Sequence, residues 1–146
     1  MAAPTLDDLQ KELARGEHRP VYLFSGPETF LLEMALDALK TYAFARTSRD
    51  FNFDRYDARE GDLSRALTTA ATFPMMGPLR LVILLGMDEL LAPAVPGRTV
   101  GQKREALRKE AEGRLQAYLA TPEPRTIFVM TADKVDQRRK LVKRVV

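Results

Sequence analysis

Thr72-Phe73-Pro74-Met75-Met76-Gly77-Pro78-Leu79-Arg80-Leu81-Val82-Ile83-Leu84-Leu85 joins two opposite kinds of sequence. Leu81 to Leu85 is an unbroken aliphatic run. A strand whose pleat meets water on neither side reads this way, which is typical of inner strands of parallel sheets. Before it, Pro74, Gly77 and Pro78 stop any helix and delay the strand. Phe73, Met75 and Met76 therefore fall in a connection, and connections normally run over the surface. Large apolar residues on a short stiff loop have two explanations. They tuck under the sheet as core, or they are shaped for a partner's pocket, a role that suits the adaptable methionine side chain.

Upstream of this stretch, Thr5 serves as an N-cap, with Asp7 and Asp8 in the first turn, where acids complement the helix dipole. Leu6, Leu9 and Leu13 follow at helical spacing, and Gly16 ends the helix. Val21 to Phe24 reads as the first core strand and Ser25 to Thr29 as the turn after it. A helix from Glu28 to Ala45 takes its apolar side from Phe30, Leu31, Met34, Leu36 and Leu39. Phe51 to Asp57 alternates apolar and polar, predicting a strand with one face in the core. Asp62 caps a helix from Leu63 to Ala71.

Downstream, Pro93, Pro96, Gly97 and Gly101 mark a turn-rich crossing. Lys103 to Leu119 is a charged helix with a narrow apolar stripe of Leu107, Ala111, Leu115 and Tyr118 or Leu119. Pro122 and Pro124 stop it, and Thr126 to Met130 is a fourth, buried strand. Asp136 caps a basic helix. Strands alternating with helices predict an α/β fold, a parallel sheet with helices on both faces.

Composition narrows the chemistry. The 146 residues fit one domain of ordinary size. The chain has no cysteine, which excludes disulfides and thiolate metal sites. No apolar run approaches the roughly 20 residues of a membrane span, and Met1 to Pro4 lacks signal-peptide character; the expectation is a cytoplasmic protein without membrane contact. His18 is the only histidine, so a Ser–His or Cys–His nucleophile pair is disfavoured, and a solvated loop residue is the simpler reading. Asp7-Asp8 and Asp88-Glu89 sit at helix starts and suit the dipole better than acid–base work. No residue set has metal-ligand spacing, and no enzyme activity or cofactor is expected of the chain.

The turn after the first strand would be the phosphate site of an α/β sheet. A P-loop needs G-x-x-x-x-G-K-[ST], but positions 31 and 32 are both Leu where Gly and Lys belong. The net charge is only +3, yet Lys134, Arg138, Arg139, Lys140, Lys143 and Arg144 crowd the C-terminal stretch. A solvated helix face explains them simply; the sharper alternative is phosphate contact through Arg138, Arg139, Lys140, Lys143 and Arg144.

Tyr22 to Glu33, the Thr72 to Gly77 loop running into Arg80-Leu81-Val82, and Ala132-Asp133-Lys134-Val135-Asp136 together resemble the N-terminal domain of the bacterial DNA polymerase III delta subunit, part of the clamp loader. The likeness runs in register from Val21 to Val146. It implies an AAA+-type, RecA-like domain with a degenerate, nucleotide-free P-loop, in agreement with the reading of Ser25 to Leu32. It also implies that the loop before the third strand enters the hydrophobic pocket of the beta sliding clamp and helps open the ring. The interface residues would be Phe73, Pro74, Met75 and Met76. The family commonly carries two adjacent large residues such as Leu-Phe or Phe-Phe there, and Met75-Met76 departs from that pattern. Residues 1–136 then form a RecA-like clamp-binding domain and 137–146 begin a following helical domain, in a chain that reads as part of a longer protein. Other loader subunits (gamma/tau, delta prime) would engage domains outside this chain, with DNA contact in the assembled complex. The competing reading, from a different class, is a catalytically inactive P-loop-like domain binding nucleic acid through its basic C-terminal end.

Overall fold

A computed structural model describes residues 6–25, 29–47, 49–74, 77–87 and 102–132. In chain order the elements are α1 (Leu6–Ala14), β1 (Val21–Ser25), α2 (Thr29–Phe44), α3 (Arg49–Asn52), β2 (Phe53–Asp57), a 3-10 turn (Ala58–Glu60), α4 (Leu63–Ala70), β3 (Arg80–Leu85), α5 (Gln102–Ala120) and β4 (Thr126–Ala132). The four strands form one sheet in the order β1-β4-β3-β2, and every pairing is parallel.

The order explains the layers. The chain crosses from β1 to the far edge at β2, then returns through β3 to β4. Connections of one hand that run in opposite directions place their helices on opposite faces. One core accordingly packs α1 and α2 residues (Leu9, Leu13, Leu36, Leu39) against Leu81, Ile83, Ile127 and Val129. The other packs α4 and α5 residues (Leu63, Leu67, Leu115, Tyr118) against Val82, Leu84, Phe128 and Met130. The aliphatic run of β3 thus alternates between two cores, with Leu81, Val82 and Leu84 wholly buried and Ile83 nearly so. Burying each such side chain is worth about 1.5–3 kcal/mol.

Several expectations need correction. Phe51 and Asn52 belong to α3, not to the strand, and β2 begins at Phe53. Asn52 is wholly buried and its amide donates to Thr47 Oγ1 at 2.9 Å, which closes a tight corner instead of extending the pleat. Phe30, Leu31 and Met34 are exposed, so the apolar side of α2 is Ala35, Leu36, Leu39, Tyr42 and Ala43. The buried residues, with the partly buried Leu32, repeat at helical spacing along one side of α2, and Phe30 and Met34 fall on the opposite side. Asp62 sits at the N-cap of α4 without a side-chain cap bond; it pairs with Arg65 at 3.5 Å. β4 runs on to Ala132, two residues past Met130, and is buried throughout.

His18 is half-buried, not a solvated loop residue. Its ring meets Tyr42 edge-on, and Nδ1 lies 2.8 Å from Tyr42 Oη. The Tyr42 hydroxyl donates to Gly16 O, so Nδ1–H is the donor to Tyr42. Burial first, and the Arg46 charge second, hold the His18 pKa below its usual 6.5. Gly16, with φ +76°, ends α1 as anticipated.

The expectations for Thr5, for Gly26 to Glu28, for Asp88-Glu89, for the crossing from Pro93 to Gly101 and for everything from Asp133 to Val146 lie outside the described residues. So do the side chains of Leu107 and Ala111 in α5, whose described stripe is Leu115 and Tyr118 with Leu119 partly buried.

Candidate functional site: the connection between α4 and β3

α4 is a mount for the loop that follows it. Leu63, Ala66, Leu67 and Ala70, at i, i+3, i+4 and i+7, are all buried against the sheet. Its other side is polar: Thr68 Oγ1 donates to Ser64 O at 3.0 Å, Arg114 of α5 donates to Thr68 Oγ1 at 3.2 Å, and Tyr56 Oη and Thr69 Oγ1 are 2.7 Å apart. The helix closes with Ala71 N donating to Leu67 O and Thr72 N to Thr69 O, each at 3.1 Å, and with Thr72 Oγ1 donating to Thr68 O at 2.8 Å.

Phe73 comes next and is 63% exposed. It is therefore not core. One side of its ring is met by the Arg125 guanidinium, whose carbon lies 5.4 Å from the ring centroid. Its carbonyl accepts from Arg80 Nη2 at 3.4 Å. Arg80 is only 6% exposed, and its Nη1 donates to Asp54 Oδ2 at 3.0 Å. The backbone N–H of Arg80 donates to Arg125 O at 2.9 Å, which starts the β3–β4 ladder. Pro74 is half-buried, and Met75 and Met76 lie outside the described residues.

The far end of the loop is held by packing. A Cβ at Gly77 would sit on top of Thr47 Oγ1 and within 3.3 Å of Asn52 Nδ2, so only glycine fits against that corner. Leu79, 5% exposed, is then drawn into the α1/α2 core. Of the four residues expected to form an interface, the structure thus describes two, Phe73 exposed and Pro74 half-buried. Arg138, Arg139, Lys140, Lys143 and Arg144 lie outside the described residues.

The opposite end of the sheet, beyond the C-terminal ends of the strands, is where an open α/β sheet usually places a ligand. There Asp57 accepts from the backbone and side chain of Arg59, and these bonds hold its carboxyl below the usual range. Gly86, at φ +74°, lets the backbone pass against this pair, since a Cβ would lie 2.7 Å from Arg59 Nε and 2.8 Å from Asp57 Oδ1. Among the described residues no group of three or more His, Cys, Asp or Glu could hold a metal ion.

Reading the sequence missed Arg80, Asp54, Thr47, Asn52 and Arg125 as parts of this site. A signal existed for Arg80 alone: a charge directly before a run of buried aliphatics needs a partner if it is buried with them. The partner was not legible, because Asp54 and Arg80 meet only once β2 and β3 are paired in register, Phe53 opposite Leu81.

Comparison with known proteins gives a consistent answer. The sequence model of the family described as DNA polymerase III, delta subunit, matches residues 22–145. A curated relative, DNA polymerase III subunit delta of Bacillus subtilis (strain 168), is 34% identical over 138 residues, which covers 93% of this chain and 37% of the relative. The solved structure of the Bacillus subtilis DNA clamp loader delta protein is similar with a TM-score of 0.75 and 31% identity, over 96% of this chain and 39% of that one. The chain thus spans well under half the length of the proteins it matches. With its parallel α/β sheet and matches over nearly the whole sequence, the chain belongs to the DNA polymerase III delta subunit family.

Proposed function

We propose that this chain is the clamp-contacting part of the delta subunit, which binds the beta sliding clamp through the 72–79 loop and opens it for loading on primed DNA. The observation that carries this reading is Phe73, a large apolar residue 63% exposed on a loop anchored at both ends. An exposed aromatic on a rigid mount makes a good anchor for a preformed pocket, because little side-chain and loop entropy is lost on binding. Phe73, Pro74, Met75 and Met76 form the insertion. Ring opening follows if the loop and the end of α4 bind the open clamp better than the closed one, since a ligand shifts an equilibrium only by its differential affinity.

The chain has no catalytic role in this reading, and nucleotidyl transfer belongs to the polymerase complex as a whole. The turn after β1 is a degenerate P-loop of AAA+ type, and ATP acts on other loader subunits. Contacts with gamma/tau and delta prime are made by parts of the subunit outside this chain, DNA contact arises in the assembly, and the setting is the bacterial cytoplasm.

Calorimetric titration against the sliding clamp of the same organism tests the proposal. The expected result is binding by the wild type, loss of at least about tenfold in affinity for Phe73→Ala, and no measurable binding by the Met75→Ala, Met76→Ala double variant with its fold intact. Unchanged affinity in both variants would refute the loop assignment. Binding to nucleic acid that weakens steeply with salt, with none to the clamp, would favour the basic end instead.

A further inference from the structure

Arg80 is the unusual residue of this molecule. It opens a strand that is otherwise aliphatic, and its side chain is 7% exposed. Its guanidinium is shared between two chain segments distant in sequence: Asp54 of the edge strand β2 and the carbonyl of Phe73 at the start of the loop. Among the described residues its Nε has no acceptor. A buried cation with an unfilled donor is poor economy for stability alone, and an aliphatic residue in this place would extend the run of Leu81 to Leu85. The geometry of the two bonds it does make is what an aliphatic residue could not supply. A planar guanidinium held by a carboxylate on one nitrogen has its second nitrogen aimed in a fixed direction, and here that direction is the Phe73 carbonyl.

We infer that Arg80, itself oriented by Asp54, is a positioning residue that fixes the Phe73 end of the 72–79 loop for its partner. The inference deepens the clamp-binding reading and rests on it for the identity of the partner. The bracket works with two other restraints. Thr72 is tied to the last turn of α4, and Gly77 is wedged against Thr47 and Asn52. Between these fixed points Arg80 is the one charged group joined to a loop carbonyl among the described residues. Without it, Phe73 keeps its ring and its exposure but samples many directions, and the ordering cost moves into the binding step.

The test uses the full delta subunit with Arg80→Lys, Arg80→Met and Asp54→Asn. Lysine keeps the charge and loses the two-pronged geometry; Asp54→Asn leaves Arg80 in place without its anion and changes the fold least. Two readouts are taken. Backbone amide relaxation of the free subunit reports order at Phe73 and Gly77, and calorimetry reports clamp affinity. The expected result is an order parameter at Phe73 that falls from near about 0.85 toward about 0.6 in each folded variant, with β3 and β4 amides unchanged. Clamp affinity falls roughly tenfold or more, chiefly through a less favourable entropy. A wild-type order parameter at Phe73 in folded Asp54→Asn and Arg80→Lys would overturn the positioning role, whatever the clamp data. Wild-type subunit that ignores the clamp would refute the functional reading instead, and the relaxation data would still decide whether Arg80 orders the loop.

Discussion

α2 and α4 lie on opposite faces of one sheet and dispose of their apolar residues in opposite ways. α4 buries Leu63, Ala66, Leu67 and Ala70 and turns hydroxyls and Arg65 outward. α2 buries Ala35, Leu36, Leu39, Tyr42 and Ala43 and leaves Phe30, Leu31 and Met34 exposed at 72%, 43% and 37%. Apolar composition and core membership separate in α2 because its apolar residues occupy both sides of the helix, of which the sheet covers one. Exposure also differs in its structural support. Phe73 follows a helix that is fully seated and is bonded through its own carbonyl, whereas Phe30 and Met34 lie on the side of α2 that faces away from the core.

The polar ties of the two faces differ as well. On the α1/α2 face, His18, Tyr42 and the Gly16 carbonyl form a short chain, and Arg46 stacks on the Tyr42 ring at 3.7 Å from its centroid. On the α4/α5 face, Tyr118 packs on Phe128 and its hydroxyl donates to Ala70 O at 3.5 Å, at the last residue of α4.

Mutation and pH should separate the two faces. The largest effect is expected at the seated positions: Leu39→Ala in α2 and Leu67→Ala in α4 should each cost about 2–5 kcal/mol in chemical denaturation, the range for cavities in a packed core. Next is alkaline pH. Burial pushes the Tyr118 hydroxyl up to about 12, so its contribution is complete below its ordinary value of 10.0 and is lost as pH rises between the two. The loss should be on the order of 2 kcal/mol, and Tyr118→Phe should remove that part of the pH dependence in denaturation midpoints. Gly77→Ala should cost about 1–3 kcal/mol by forcing Thr47 and Asn52 aside.

Acid should act on the other face. The His18 pKa is depressed, so the unfolded chain takes the proton first, and stability falls as pH drops through 6.5 toward the lower folded value. His18→Asn should flatten the denaturation midpoint between pH 7.5 and 6, a range above carboxylate titration. The smallest effect belongs to the outer side of α2: Phe30→Ser should change stability by no more than about 0.5 kcal/mol. A loss at Phe30 as large as that at Leu39 would mean that the two sides of α2 are not different after all.

Much of this was legible in the sequence. Strands show as runs, and Leu81 to Leu85, Val21 to Phe24 and Thr126 to Met130 all fall within observed strands. Their alternation with helices was enough for the parallel α/β class. What failed did so for identifiable reasons. Phe51-Asn52 fits the period-2 pattern, but Asn52 forms a tertiary bond to Thr47 that no local pattern records. Apolar residues occur on both sides of α2 in its first turns, and composition there does not show which side the sheet covers. The burial of His18 has no local signal, because its partner Tyr42 is 24 positions away. At the candidate site the legible part was composition: a stiff loop with Phe73, Met75 and Met76. Its support by Arg80, Asp54 and Gly77 depends on strand pairing and was not.

The strand order has a consequence for how the molecule is made. β4 is the last strand in the described chain, yet it occupies an inner position and supplies the whole partner edge of β1. On the ribosome, Val21 to Ser25 emerges early and finds no neighbour until Thr126 to Ala132 follows. β2 and β3, joined by α4, can pair long before that. The nascent chain should therefore form a β2-α4-β3 nucleus first, with the Tyr22-Leu23-Phe24 segment exposed to chaperones meanwhile. Nascent chains stalled just short of Thr126 should accordingly be sensitive to protease at β1 while α4 is already protected.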